Sequence, residues 1–168
     1  PLEMHNKIKE KNKIKNKSRV VAGYCWDWIS QKRPDLKDIT IDEFRYNATW
    51  NLTSDGSEWI ISPKSVEEVG CIHTCQGLEV DYVGVIIGRD LVAIDGVLKT
   101  DPSARAKTDA SLKGYKKELK EEPISAELKA DELIRNTYRT LMSRGMKGCY
   151  VYFVDEATSD YFKSKLPK

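Results

Sequence analysis

The sequence predicts an α/β domain: a mostly parallel sheet flanked by helices. Three observations predict it. Two uncharged, β-branched and aromatic runs, Tyr82-Val83-Gly84-Val85-Ile86-Ile87-Gly88 and Cys149-Tyr150-Val151-Tyr152-Phe153-Val154, have the composition of strands buried on both faces. Between them lies the clearest helical pattern of the chain, with Ile134, Tyr138, Leu141 and Met142 at i, i+4, i+7 and i+8 on one apolar face. Strands that alternate with helical segments in this way build parallel sheets.

The 168 residues make about one domain, enough for a hydrophobic core without disulfide or metal staples. Hydrophobic content of 40% and charged content of 32% fit a globular domain with a charged surface. No apolar run approaches the roughly 18 residues of a membrane span. No secretory signal is visible, so the expectation is a cytoplasmic protein with no membrane contact. The chain opens on Pro1, which reads as part of a longer parent chain. The net charge of +2 hides an asymmetry. Residues 1–19 hold six Lys and one Arg against two Glu, a local +5, which leaves −3 for the remainder. A polyanion would therefore meet local patches, not a uniformly basic surface. Cys25, Cys71, Cys75 and Cys149 read as reduced thiols. Cys71-x-His73-x-Cys75 lacks the second ligand couple of a structural zinc site, so no metal is expected. In a cytosolic chain the sequons at Asn47 and Asn51 carry no meaning.

Taken in order, residues 1–17 form a basic lead-in with lysine at every second position from Lys7 to Lys17. Leu2, Met4 and Ile8 give only a thin apolar stripe, so the segment reads as a solvated helix or tail, with a phosphate-contacting arm as the rival. Residues 18–168 form the domain. Ser18–Tyr24 is the first strand, followed by Cys25-Trp26-Asp27-Trp28, of which Trp26 reads as core and Trp28 is open between core and base stacking. Gln31–Lys37 is a turn-rich connection. Ile39–Phe44 reads as an edge strand and Trp59-Ile60-Ile61 as a short strand, with Asp55-Gly56 marking a turn between them. Ser65 is the expected N-cap of a helical turn, with Glu68 three residues on. Asp95-Gly96 between two apolar runs is a hairpin signal. Residues 89–125 form a surface excursion whose lysine-rich part, 99–122, is expected to be mobile. Ser125 is the expected cap of the long helix and Gly145 its stop. A final short helix is expected over 156–165.

The chemistry concentrates in Cys71-Ile72-His73-Thr74-Cys75-Gln76-Gly77-Leu78-Glu79-Val80-Asp81 and in Asn136-Thr137-Tyr138-Arg139-Thr140-Leu141-Met142-Ser143-Arg144-Gly145. The first resembles motif V of superfamily 1 helicases, His-x-x-x-Gly-Leu-Glu, feeding a buried strand. The second resembles motif VI, an Arg at a helix end that precedes a strand. Cys71 stands where motif V usually has Thr, and Arg139 where motif VI often has Tyr. With Cys25-Trp26-Asp27-Trp28, these segments from about Ser18 to Asp155 resemble a family of bacterial P-loop proteins akin to the helicase-like domains of Schlafen proteins.

That resemblance implies a second, C-terminal RecA-like domain. It implies Arg144 as an arginine finger: a guanidinium matches the charge that spreads over a transferring γ-phosphoryl group. On helix position alone, Arg144 reads as an ordinary C-terminal Arg favoured by the helix dipole, and only the motif context makes it a finger. The resemblance further implies nucleotide contacts by Gln76, Gly77 and Glu79, with Glu79 on the ribose, and nucleic-acid contacts by His73 and Thr74. Arg135, Arg139 and Lys147 flank the second motif and could add positive charge near the phosphates. The sequence contains no Gly-x-x-x-x-Gly-Lys-Ser/Thr loop and no strand ending in paired acids. The lysine, the Mg²⁺ ligands and the base would belong to an N-terminal RecA-like domain of the same parent chain. ATP and Mg²⁺ are thus expected in the parent, single-stranded DNA or RNA as its track, and no appreciable hydrolysis by this chain alone. The alternatives are a nucleotide-gated switch that translocates on nothing, and a stand-alone nucleic-acid-binding domain using Lys7–Lys17 and residues 99–120.

Overall fold

A computed structural model describes residues 1–51, 58–75 and 79–167. Four strands pair in parallel: β1 (Ser18–Ala22), β4 (Val69–Gly70), β5 (Val80–Ile87) and β8 (Gly145–Phe153), in the order β4-β1-β5-β8. β1 is buried along its whole length and β5 nearly so, as strands covered on both faces must be. One face carries α1 (Leu2–Lys15), where Met4 and Ile8 lie against Gly84 of β5. The other face carries α3 (Pro123–Met142), whose Ile134, Tyr138 and Leu141 pack on Val83, Val85 and Ile87. α4 (Glu156–Lys165) follows β8; the Asp155 carboxylate caps it by accepting from the Thr158 amide at 2.8 Å. The parallel sheet flanked by helices is the predicted class, and the helix over 156–165 falls where expected.

Two small antiparallel ribbons complete the described structure. β2 (Ile39–Ile41) pairs with β3 (Tyr46–Ala48). The buried Asp38 carboxylate ties this ribbon to its surroundings, accepting from the Ser30 amide at 2.7 Å and the Trp50 amide at 2.8 Å. β6 (Leu91–Ile94) pairs with β7 (Val97–Thr100) through Asp95 and Gly96, both left-handed at φ 52° and 72°. That is the two-residue hairpin the sequence signals.

Several expectations are corrected. Residues 1–17 are not merely a solvated helix or tail: Met4, His5, Ile8 and Asn12 of α1 are buried. His5 reaches the Tyr46 hydroxyl and the Val66 carbonyl, both at 2.8 Å. Asn12 accepts from Arg19 at 2.8 Å, and Arg19 is itself buried, donating onward to the Ser62 carbonyl at 3.0 Å. Polar residues enter this core because each finds a partner there. Residues 59–61 are a turn, not a strand. The Trp59 indole donates to Glu68 at 2.9 Å, and its ring fills the space left by Gly70. Pro63–Glu67 is a 3-10 helix in which the Ser65 hydroxyl donates to the Ser62 carbonyl instead of capping. α3 begins at Pro123, two residues before Ser125, because proline's missing N–H costs nothing in a first helical turn. Trp26 and Trp28 are both partly buried against the α1-side core. Asp55-Gly56 lies outside the described residues.

The segment 99–122 is not a free loop. It includes the exposed helix α2 (Tyr115–Glu121), but Arg105 and Asp109 plunge inward. The Arg105 guanidinium joins Asp109 to Asp90, and the Tyr138 hydroxyl donates to the other Asp90 oxygen while accepting from the Gly88 amide at 2.9 Å. Among the described residues no helix is long and apolar enough to cross a membrane.

Candidate functional site

The amino ends of β5 and β8 stand side by side, with Val80 and Gly145 as register partners. The residue before each is a predicted functional one: Glu79 before β5, Arg144 before β8. One hydrogen bond closes this seam, from the Val80 amide to the Arg144 carbonyl at 3.0 Å. The helix end positions Arg144. The Ser143 and Arg144 amides donate to the Arg139 and Leu141 carbonyls at 3.1 and 3.2 Å, and Arg144 Nε donates to the Thr140 carbonyl at 3.2 Å. The chain then enters β8 at once, with no left-handed residue between. Gly145 is therefore not the helix stop. It is the first residue of β8, and a Cβ there would lie 2.3 Å from the Gly148 carbonyl oxygen. Glu79 is exposed beside this seam.

The turn 71–75 follows β4, and its Cys75 packs in the same core cluster as Val80 and Leu141. Cys75 is buried, and its thiol is pushed up to about 12, chiefly by burial, with the nearby Arg144 charge acting in the opposite sense. Thus Glu79 and Arg144 stand together at the amino edge of the sheet, and the Arg144 charge reaches the Cys75 thiol. Lys147 is close by, paired with Asp81 at 2.7 Å. Arg135 does not join them: it is bound to Asp131 and to the Leu98 carbonyl at 2.8 Å. Arg139 is exposed on α3.

His73 and Thr74 occupy a different place, beyond the carboxyl end of β4. The Thr74 hydroxyl accepts from the Cys71 amide at 3.0 Å and donates to Asn51 Oδ1 at 2.8 Å. Its first task is to shape the turn. The exposed His73 lines a cavity of about 300 Å³ with Tyr24, Trp28 and Asn51. His73 and Thr74 therefore lie toward the carboxyl edge of the sheet and Glu79 at its amino edge, so these residues of the first motif face different sites. Gln76 and Gly77 lie outside the described residues. Sequence reasoning missed Asn51 and left Trp28 open; only the fold brings either to His73. Among the described residues no three His, Cys, Asp or Glu side chains converge on a point that could hold a metal.

The chain is thus an α/β domain, a four-stranded parallel sheet flanked by helices, with Glu79 and Arg144 at one edge of the sheet. The family model for the Schlafen group 3 DNA/RNA helicase domain matches residues 1–155. The chain belongs to that family, and at family level it is a helicase-like, nucleotide-binding domain. It is also similar to the uncharacterized protein YPL245W of Saccharomyces cerevisiae, 29% identical over 157 residues, which cover 90% of this chain and 32% of the yeast protein. The chain thus spans about a third of the length of that relative. No solved structure matches it.

Proposed function

We propose that this chain is the second RecA-like domain of an ATP-dependent, helicase-like P-loop NTPase. Its amino edge closes onto ATP held by a first RecA-like domain of the same parent. The observation that carries the reading is the seam: one backbone hydrogen bond fixes Arg144 beside Val80, and hence beside Glu79. In this reading Arg144 meets the γ-phosphate and stabilises the charge that develops on its oxygens. Glu79 accepts from a ribose hydroxyl, and the nucleotide contacts that the family resemblance implies for Gln76 and Gly77 belong to the same proposal. The phosphate loop and the acids that hold Mg²⁺ belong to the first domain. Mg²⁺ there neutralises phosphate charge; the part of this chain is to complete the clamp when the domains close. His73 and Thr74, at the other edge, face single-stranded DNA or RNA. Cytoplasmic location is part of the same reading.

The test is the ATPase rate of the parent protein, with and without single-stranded DNA and RNA. Arg144→Ala is expected to lower a stimulated rate by about 10³-fold or more, and Arg144→Lys to restore little, because lysine lacks the planar fork. A rate indifferent to nucleic acid yet dependent on Arg144 would make the protein a nucleotide-gated switch. Normal hydrolysis by Arg144→Ala would remove the finger assignment.

A further inference from the structure

A second cavity, of about 400 Å³, opens at the carboxyl ends of β1, β5 and β8. It is at the opposite edge of the sheet from Glu79 and Arg144. The strand order reverses between β1 and β5: from β1 the chain moves outward to β4, and from β5 it moves the other way to β8. Connections diverge at such a switch point and leave a crevice, where open α/β sheets take their ligands. The loops that form it are held in advance. A Cβ on Gly88 would lie 2.4 Å from Cys25 Sγ, so these two loops are in direct contact. Tyr138 and Arg105 fix the loop after β5 through Gly88 and Asp90. A preformed site loses less entropy on binding.

The lining combines three chemistries. Trp26 and Tyr152 offer aromatic surface. Arg89, exposed on the loop after β5, supplies a guanidinium. Asp42 and Glu43, from the 3-10 turn between β2 and β3, supply carboxylates, and Glu43 is near enough for its charge to act on the Tyr152 phenol. None of the three charged side chains forms an ion pair among the described residues.

We infer that this cavity binds one ribonucleotide unit. The base stacks on Trp26 and Tyr152, the phosphate meets Arg89, and the ribose hydroxyls donate to Asp42 and Glu43. The volume suits a ligand of that size. Two carboxylates against one guanidinium leave a net negative rim, which tolerates a single phosphate charge and repels a triphosphate. Carboxylates that need sugar hydroxyls favour RNA over DNA, since the 2′-hydroxyl distinguishes the two. The unpaired Arg89 disfavours the rival ligand, a cationic peptide side chain. The site uses no residue of the ATP clamp.

Equilibrium binding of labelled oligoadenylate RNA and its DNA counterpart to the intact protein, at one fixed salt concentration, tests this. AMP serves as competitor, and the variants are Arg89→Ala, the double variant Asp42→Ala with Glu43→Ala, and Arg144→Ala. RNA is expected to bind more tightly than DNA. Arg89→Ala should weaken RNA at least about tenfold, and the double variant should abolish the RNA preference. Arg144→Ala should change neither, so this site stands or falls apart from the clamp. Competition by AMP would identify a free ribonucleotide as sufficient; RNA binding that AMP does not displace would identify a strand as the source. Equal affinity for RNA and DNA, or RNA binding indifferent to Arg89→Ala, overturns the inference. So does Asp42- and Glu43-dependent binding of an oligolysine peptide in place of RNA.

Discussion

Replacing Arg105 with alanine tests the architecture most directly. Its side chain is 1% exposed and lies between Asp90 and Asp109, at 0% and 4%. Burial works against the guanidinium charge, but Asp109 and Asp90 together more than offset it and hold its pKa above the ordinary value. Truncation would leave two buried carboxylates without a counter-charge. Removing one partner of a buried pair costs about 3–5 kcal/mol. Because two carboxylates share this guanidinium, we place Arg105→Ala near the top of that range, about 4–5 kcal/mol. In a domain of this size each kcal/mol moves Tm by about 2–4 °C. The melting temperature should therefore fall by about 8–20 °C. Urea unfolding followed by tryptophan fluorescence, together with a thermal melt, reads both quantities. Adding Asp90→Asn and Asp109→Asn to Arg105→Ala should restore part of the loss, since amides need no counter-charge. A single variant within about 1 kcal/mol of wild type, or a triple variant no more stable than the single one, would refute the reasoning.

Three further outcomes follow from local geometry. Gly145→Ala places a Cβ 2.3 Å from the Gly148 carbonyl oxygen, a backbone atom that cannot swing aside; the expected loss is about 1–3 kcal/mol in urea unfolding, and a neutral substitution would contradict the close approach. His5 is neutral with both ring nitrogens engaged, and burial holds its pKa below the usual 6.5. The unfolded chain takes up that proton first, so this contribution is complete above the unfolded pKa and declines as pH falls below it. The urea midpoint should drop between about pH 7.5 and pH 5.5, and the drop should shrink in His5→Gln; identical pH profiles for the two would assign the effect elsewhere. Thr74→Val removes a hydroxyl that both accepts from the Cys71 amide and donates to Asn51. Faster hydrogen exchange at the Cys71 amide is expected, with a loss of about 1–3 kcal/mol; unchanged exchange would show that the turn holds without it.

Glu79 could be placed from the sequence because the apolar run of β5 follows it closely; the position of Arg144 directly before β8 could not, since Gly145 reads as a helix stop and the strand signal begins only at Cys149. β5 is buried along most of its length, so its apolar run shows where it begins to within two residues; the amino end of β8, Gly145-Met146-Lys147-Gly148, carries no such run and lies on the edge strand of the sheet. His73 and Thr74 were legible as chemistry but not as location. The sequence shows them next to Glu79 in the chain; the fold carries them to the other edge of the sheet. Trp26, Arg89, Asp42, Glu43 and Tyr152 meet in a cavity although they come from four separate stretches of chain, and no local pattern links them.

By itself the sequence determined the α/β class, the buried strand β5, the hairpin at Asp95-Gly96, the helix over 156–165 and the presence, though not the ends, of the long helix. Each of these follows from short-range periodicity, a turn conformation or a cap, all properties of neighbouring residues. The run Cys149–Val154 was legible as a strand but not as the edge strand it is, with none of its residues fully buried. Only the tertiary structure decided which polar residues are inside. His5, Asn12 and Arg105 fall in lysine-rich segments that read as solvent-facing, and Arg19 falls in the first strand, where the sequence does not show the partners it meets. They are buried because Tyr46, Val66, Ser62, Asp90 and Asp109 supply their missing hydrogen bonds and counter-charges. Burial of a polar group is decided by partners distant in sequence, and only folding brings those partners within reach.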